Sequence, residues 1–175
     1  MEFTCNGRAV SIEIEAGESL LNVLRERLRL HSVKDGCAPQ GQCGCCTVLV
    51  DGEPRVSCVT PATRVEGRSV TTLEGLEPST RERFAASFVA SGGSQCGFCT
   101  PGIIMRFAGA RARDVDRSLA AHLCRCTGWL TVRDAVAAAA PTARDLDAAS
   151  RRAELEGGIP QRIGLDVPLG AAGFA

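Results

Sequence analysis

The chain has 175 residues, 45% of them hydrophobic, and its 20 lysines and arginines are balanced by 20 aspartates and glutamates. That length holds two small domains or one medium one, and a net charge of zero gives no electrostatic reason to bind DNA, RNA or an anionic membrane. No basic stretch leads into an apolar segment at the N-terminus, and the longest apolar run, Ala135 to Ala140, is too short to span a bilayer, so a cytoplasmic location is expected.

Glu2 to Cys5 and Arg8 to Glu15 flank Asn6-Gly7, and the alternation of Val10, Ile12 and Ile14 with polar neighbours predicts a β-hairpin. Leu20, Leu21, Leu24 and Leu28 recur at helical spacing after Ser19, which predicts one amphipathic helix. Asp35-Gly36 breaks that pattern. Beyond it, Thr47 to Val50, Asp51-Gly52 and Arg55 to Val59 read as a second hairpin, with a further strand over Arg68 to Thr72. Strands wrapping one helix make a small α+β unit, expected over residues 1–76.

From Pro78 the composition shifts to Ala, Arg and Phe. Helices are expected over about Thr80 to Ala90, Pro101 to Ala112, Asp116 to Leu123 and Thr131 to Ala140, in a unit spanning residues 77–141. Thr100-Pro101 supplies a hydroxyl cap with proline in the first turn, Thr131 is a cap for the last helix, and Pro141 ends it. Residues 142–175 contain one short polar helical stretch, then Gly-, Pro- and Ala-rich chain expected to form an extended tail or linker.

Eight of the ten cysteines fall into two groups, Cys37, Cys43, Cys46 and Cys58, then Cys96, Cys99, Cys124 and Cys126. Two cysteines close to a third, with a distant fourth, is the plant-type arrangement of four thiolates around a 2Fe-2S core. The first group has that spacing, and two clusters in one small chain would point to an electron relay. A disulfide framework is disfavoured by the missing signal peptide, the adjacent Cys45-Cys46 pair and the close pair at Cys124 and Cys126. Zinc at Cys96-x-x-Cys99 is the other alternative, but the Gly-rich flanks of the first group suit backbone amides donated to cluster sulfurs. Cys5 and Cys45 are left over and read as small buried hydrophobes. The second set of cysteines falls at helix ends, where free amides face anionic sulfur.

The segments "KDGCAPQGQCGCCTVLVDG", "QCGFCTPGIIMRF" and "LCRCTGW" resemble the iron-sulfur subunit of the molybdenum hydroxylases, the xanthine dehydrogenase, aldehyde oxidoreductase and aerobic carbon monoxide dehydrogenase family. The resemblance covers Glu2 to Ala140. It implies a β-grasp ferredoxin-like domain holding one 2Fe-2S cluster, then a four-helix domain holding a second that lies nearer the molybdopterin. Electrons would pass from molybdopterin through the Cys96, Cys99, Cys124 and Cys126 cluster to the Cys37, Cys43, Cys46 and Cys58 cluster, and on to FAD. Molybdopterin and FAD would sit on partners, a large molybdenum-binding subunit and an FAD-binding medium subunit, in a hetero-oligomer. Gln95 resembles a position close to the pterin, and the terminal "PQRIGLDVPLGAAGFA" loosely resembles the opening of the molybdenum polypeptide.

Gly44, Gly97 and Gly128 are candidates for close backbone approach to a cluster, with turn formation as the simpler role. Arg125, between two ligand cysteines, offsets cluster charge or is a solvated side chain, and His31 and His122 are expected to be structural. Three features depart from the family. Five residues separate Cys37 and Cys43 where four are usual, Cys45 stands where alanine is usual, and the gap from Cys99 to Cys124 is shorter than usual, which suggests a trimmed connection between helices. Cys46 is kept as the ligand because Cys43-Gly44-x-Cys46 and the eleven residues before Cys58 are intact. The leading expectation is an electron-transfer subunit without substrate turnover of its own; a free-standing two-cluster carrier or sensor is the alternative.

Overall fold

The computed structural model describes residues 1–109, 114–137, 145–160 and 164–172. Strands β1 (Glu2–Cys5) and β2 (Arg8–Ser11) pair antiparallel with Phe3 opposite Val10. The turn between them sets Asn6 and Gly7 at φ 50° and 77°, the left-handed pair that matches the twist of a two-residue hairpin. β2 stops at Ser11, short of the expected Glu15, because β1 begins at Glu2 opposite it. Only one more rung follows, from the Ile12 amide to the Met1 carbonyl at 3.0 Å.

Helix α1 (Leu20–Asn22) is capped by Ser19, whose hydroxyl accepts from the Asn22 amide at 3.2 Å. It widens at once into a π turn over Val23–Arg27, closed by the Leu28 amide on the Val23 carbonyl. Leu20, Leu21, Val23 and Leu24 are buried against the sheet, while the expected fourth apolar position, Leu28, is only partly covered.

Strands β3 (Thr47–Val50), β4 (Glu53–Val56) and β5 (Ser69–Thr71) complete a five-stranded sheet of order β2-β1-β5-β3-β4, with β1 and β5 parallel. β4 starts earlier than expected and ends at Val56. The Ser57 amide and hydroxyl both donate to the Cys46 carbonyl, at 3.2 and 2.8 Å, and pull Ser57–Val59 into a 3-10 turn. A mixed sheet clasping one short helix is the β-grasp arrangement that the resemblance implied.

Strand β3 is buried along its whole length. Val48 and Val50 join the core under α1, and Leu49, on the opposite face, joins a second core built from helices. Those helices are α2 (Pro78–Ser91), α3 (Thr100–Ala108), α4 (Val115–Leu119) and α5 (Trp129–Ala137). Pro78 occupies the first turn of α2 and Gly92, at φ 67°, ends it. Phe84, Phe88, Ile103, Ile104, Met105 and Val132 fill this second core, and full burial of each such side chain stabilises the fold by roughly 1.5–3 kcal/mol. α5 begins two residues before Thr131, whose hydroxyl donates back to the Thr127 carbonyl instead of capping. α3 ends at Ala108, short of the expected Ala112, because Gly109 is already extended at φ -76° and ψ 157°; the expected end near Ala140 and the Pro141 stop lie outside the described residues.

Of the stretch from residue 142, residues 145–160 and 164–172 are described, and they include the short polar helix expected there. Helix α6 (Leu146–Leu155), capped by Asp145, buries none of its residues. Gly164 to Ala171 forms a turn-rich segment seated on the chain itself, with Val167 buried and Leu169 packed on the helical core. Its fixing is partly polar, since the buried Lys34 ammonium donates to the Gly170 carbonyl at 3.4 Å. Gly and Pro content alone does not reveal such a segment, because its partners lie far away in sequence. No helix among the described residues is long and apolar enough to cross a membrane.

Candidate metal centres

The loop between α1 and β3 carries Cys37, Cys43 and Cys46, and the 3-10 turn after β4 brings Cys58 to them. Within this group the thiols meet two by two. Cys37 hydrogen-bonds with the Cys43 thiol, and Cys58 with the Cys46 thiol, whose sulfur also accepts from the Cys58 amide at 3.4 Å. Burial pushes the Cys37 thiol up, but the amides of Cys43, Gln42 and Gln40 converge on its sulfur and bring it down to about 6 from 9.0. The residue added between Cys37 and Cys43 therefore belongs to a loop whose amides are turned inward, toward negative charge. Burial and the Cys46 thiol raise Cys58 to about 12, against the Gly41 amide, which donates to it.

Cys45 and Cys46 point to opposite sides. Cys46 packs in the sheet core with Cys58, whereas Cys45 joins the helical core with Cys43 and Cys99. The Cys45 thiol donates to the Cys43 carbonyl at 3.7 Å, and burial holds it far above the ordinary thiol range.

The second group sits on the loop before α3 and the loop before α5. Cys126 donates to Cys96 at 3.4 Å, and Cys99 donates to Cys124. That bond from Cys99 lowers Cys124 to about 4 despite burial, helped by the Thr127 hydroxyl and the amides of Thr127 and Cys126. The same bond, with burial, raises Cys99. Exposure grades across the group: Cys99 is buried, Cys96 and Cys124 are half-buried and Cys126 is exposed. Among the described residues no three His, Cys, Asp or Glu side chains converge on a single-ion position; the sulfurs are arranged as pairs.

The two groups share one wall. The Leu123 amide donates to the Cys43 carbonyl at 3.0 Å, linking the residue before Cys124 to the first group. Gly102 of α3 lies so close to the cysteine loop that a Cβ there would stand 2.3 Å from the Gly44 carbonyl oxygen and 2.9 Å from Cys45 Cα. Gly44 has φ 69° and faces His122, whose Nδ1 would be 2.3 Å from a Cβ. Gly36 is packed tightly where the groups meet, since a Cβ there would stand 3.0, 3.1 and 3.2 Å from Cys43 Sγ, Phe98 Cε1 and Cys45 Sγ.

The other expected positions divide. Gly97 makes a close approach, but to the Val167 carbonyl oxygen, 2.3 Å from its Cβ position. Gly128, at φ 71°, has no protein atom within 4 Å of its Cβ position. Gln95 and Arg125 are exposed, as is His31. His122 is buried with Nδ1 unpartnered, and burial together with Arg106 lowers it to about 4. Its proximity to Gly44 escapes sequence reading, because nothing local joins the loop after α4 to the first cysteine group. Cys5 lies on β1 in the sheet core, where burial raises it to about 11.

Comparison with known proteins matches the two parts of the chain separately. A family model described as a 2Fe-2S iron-sulfur cluster binding domain matches residues 3–72, and one described as a 2Fe-2S binding domain matches residues 72–137. The chain is 39% identical over 146 residues to the xanthine dehydrogenase iron-sulfur-binding subunit of Escherichia coli, covering 78% of this chain and 91% of that one. Quinoline 2-oxidoreductase from Pseudomonas putida 86 has a solved chain that superposes with a TM-score of 0.70 at 37% identity, over 78% of this chain and 88% of that one. The aldehyde oxidoreductase from Desulfovibrio gigas superposes over 98% of this chain with a TM-score of 0.73 at 31% identity, and this chain spans only 21% of it.

Proposed function

Because this chain belongs to the family of iron-sulfur subunits of the molybdenum hydroxylases, we propose that it carries electrons between a molybdopterin centre on a large partner and FAD on a medium one, performing no substrate chemistry itself. Its two sites take 2Fe-2S clusters, which supply one-electron capacity at each. The observation that carries the reading is the pairing of sulfurs. A two-iron core needs two thiolates per iron, and Cys37 with Cys43, Cys46 with Cys58, Cys96 with Cys126 and Cys99 with Cys124 are the pairs at hand. Residues 1–76 would hold the first cluster and residues 77–141 the second.

The protein's own contribution is electrostatic and steric. Amides of Gln40, Gln42 and Cys43 at one site, and of Thr127 and Cys126 at the other, donate to sulfur and favour its anionic form. The shared wall of Gly44, Cys45 and Gly102 keeps solvent from between the groups. At the far end of the second site, exposed Cys126 and Gln95 are accompanied by exposed Leu123, Trp129 and Leu130. An apolar rim around a half-open metal site favours a permanently docked subunit over a freely diffusing carrier, which would keep that rim polar. Trp129 and Leu130 would face the molybdenum partner.

The test is cofactor content with and without partners. The purified chain should contain about four irons and four acid-labile sulfides, show two EPR signals on reduction, and turn over no purine, aldehyde or N-heterocycle. Co-purified with its molybdenum polypeptide, it should be reduced by that enzyme's substrate. A colourless zinc protein, or turnover by the single chain, would overturn the assignment.

A further inference from the structure

Two hollows flank Val59, the exposed residue that follows Cys58. One, of about 340 Å³, is bordered by Arg55, Val59, Arg64, Val65 and Arg68. The other, of about 560 Å³, lies between Gly41, Pro54, Arg55, Arg106 and His122. Arg55 borders both, and the Val59 methyls touch Gly41, 3.2 Å from its Cβ position, so the hollows are halves of one face.

Cationic side chains dominate this face: four arginines line the two hollows, and among the described residues neither lining includes a carboxylate, although the whole chain is neutral. Arg68 is held by Asp51 at 2.6 Å, whereas Arg55, Arg64 and Arg106 have no ion-pair partner among the described residues. Directly beneath, the Gly41 amide donates to Cys58 Sγ. One backbone turn thus separates a sulfur of the first site from a cationic surface with an apolar residue at its centre.

We propose that this face is the docking surface for the electron-accepting partner protein, which would present carboxylates around a small apolar centre meeting Val59. The proposal rests on the reading of Cys37, Cys43, Cys46 and Cys58 as a cluster site. Guanidinium groups pair with carboxylates in a fixed two-pronged geometry, and clefts lined by one sign of charge focus the field on an approaching partner. Beside the apolar rim at Trp129 and Leu130, Arg133 is held by Asp116 at 2.8 Å, so that end presents a mixed surface suited to a different partner.

The test compares the cluster-loaded chain with Arg55→Glu/Arg64→Glu, both exposed positions, and with Arg55→Lys/Arg64→Lys. Each reduced protein is mixed with ferricyanide or hexaamminecobalt(III), one-electron oxidants of opposite charge, and the first site's EPR signal is followed by rapid freezing. At low salt the glutamate variant should lose its signal to ferricyanide about tenfold more slowly than the parent and to the cobalt complex faster, the difference collapsing near 0.5 M salt, while the lysine variant behaves as the parent. In the co-purified complex, the glutamate variant should lose the electron-accepting polypeptide and keep the molybdenum polypeptide. Parent-like rates at low salt, loss of the molybdenum polypeptide instead, or loss only of bound nucleic acid would each overturn the proposal. Absence of the first EPR signal in the parent chain would overturn the cluster reading, and this docking face with it.

Discussion

The amide of Leu123 donates a hydrogen bond to the carbonyl of Cys43 at 3.0 Å, so the two cysteine groups are joined directly through the backbone. Both ends are anchored: Cys43 is buried, and Leu123 lies between buried His122 and half-buried Cys124. An amide in that position opens only when the halves separate. The Leu123 amide should therefore exchange with solvent deuterium as slowly as the amides of α3, although its side chain is exposed. Exchange as fast as at Leu130 would show that the wall between the groups opens independently.

Cys46→Ser should abolish the EPR signal of the first site while Cys45→Ala leaves both signals. Cys46 pairs with Cys58 in the sheet core, and Cys45 points away from that pair into the helical core. Cys45→Ala removes one small buried group and should lower stability by about 1 kcal/mol. The reverse pattern of EPR losses would mean that the residue added before Cys43 has shifted the register.

Gly102→Ala tests the wall directly. Alanine improves helix propensity by roughly 0.5–1 kcal/mol, but here its Cβ would meet backbone atoms of Gly44 and Cys45 at 2.3 to 2.9 Å. Backbone cannot step aside cheaply, and overpacking of this kind costs about 1–3 kcal/mol or more. The thermal midpoint of the loaded chain should fall. Gly128→Ala, with open space around it and only its φ of 71° against it, should lower the midpoint by less.

His122 makes a pH prediction. Burial, with Arg106 adding to it, lowers this imidazole to about 4 from the ordinary 6.5. Between those values the unfolded chain binds a proton that the folded chain refuses, so its contribution to stability is complete above 6.5 and is lost as pH falls toward 4. The slope is at most about 1.4 kcal/mol per pH unit. Thermal midpoints of the parent and His122→Leu, measured from pH 8 down to about 5, should diverge on the acid side, the parent falling more steeply. Parallel curves would place the imidazole in contact with water.

Removing residues 164–175 should leave the first site intact and make the second lose iron faster to a chelator. Val167 covers the backbone between Cys96 and Phe98, and Leu169 packs on the helical core. Iron release followed by absorbance, with EPR assigning the site, checks this. Equal loss from both sites would show that the segment stabilises the chain as a whole.

The sulfur groups were readable because ligand spacing is local: Cys43-Gly44-x-Cys46 and Cys96-x-x-Cys99 each lie in one short loop. The hairpin at Asn6-Gly7 was readable for the same reason, since two turn residues decide it. What escaped depends on distant contacts. Ser57 ends β4 early because both its amide and hydroxyl reach the Cys46 carbonyl, and no propensity at Ser57 announces that. The close approach of Val167 to Gly97 escapes in the same way, since the two are far apart in sequence. The leucine spacing after Ser19 predicted a regular helix, whereas the backbone widens at Val23 and spends its apolar face sooner.

Leu49 on β3 and Gly102 on α3 place the joint between the halves inside the chain's own elements rather than in a linker. Relatives therefore cannot be recombined by cutting at the end of the sheet. A chimaera that takes its helical half from another subunit must import the Cys43–Cys46 turn and the outward residue of β3 along with it. Shuffling experiments with crossovers on either side of that turn should yield soluble two-cluster hybrids only when the turn and α3 share a parent.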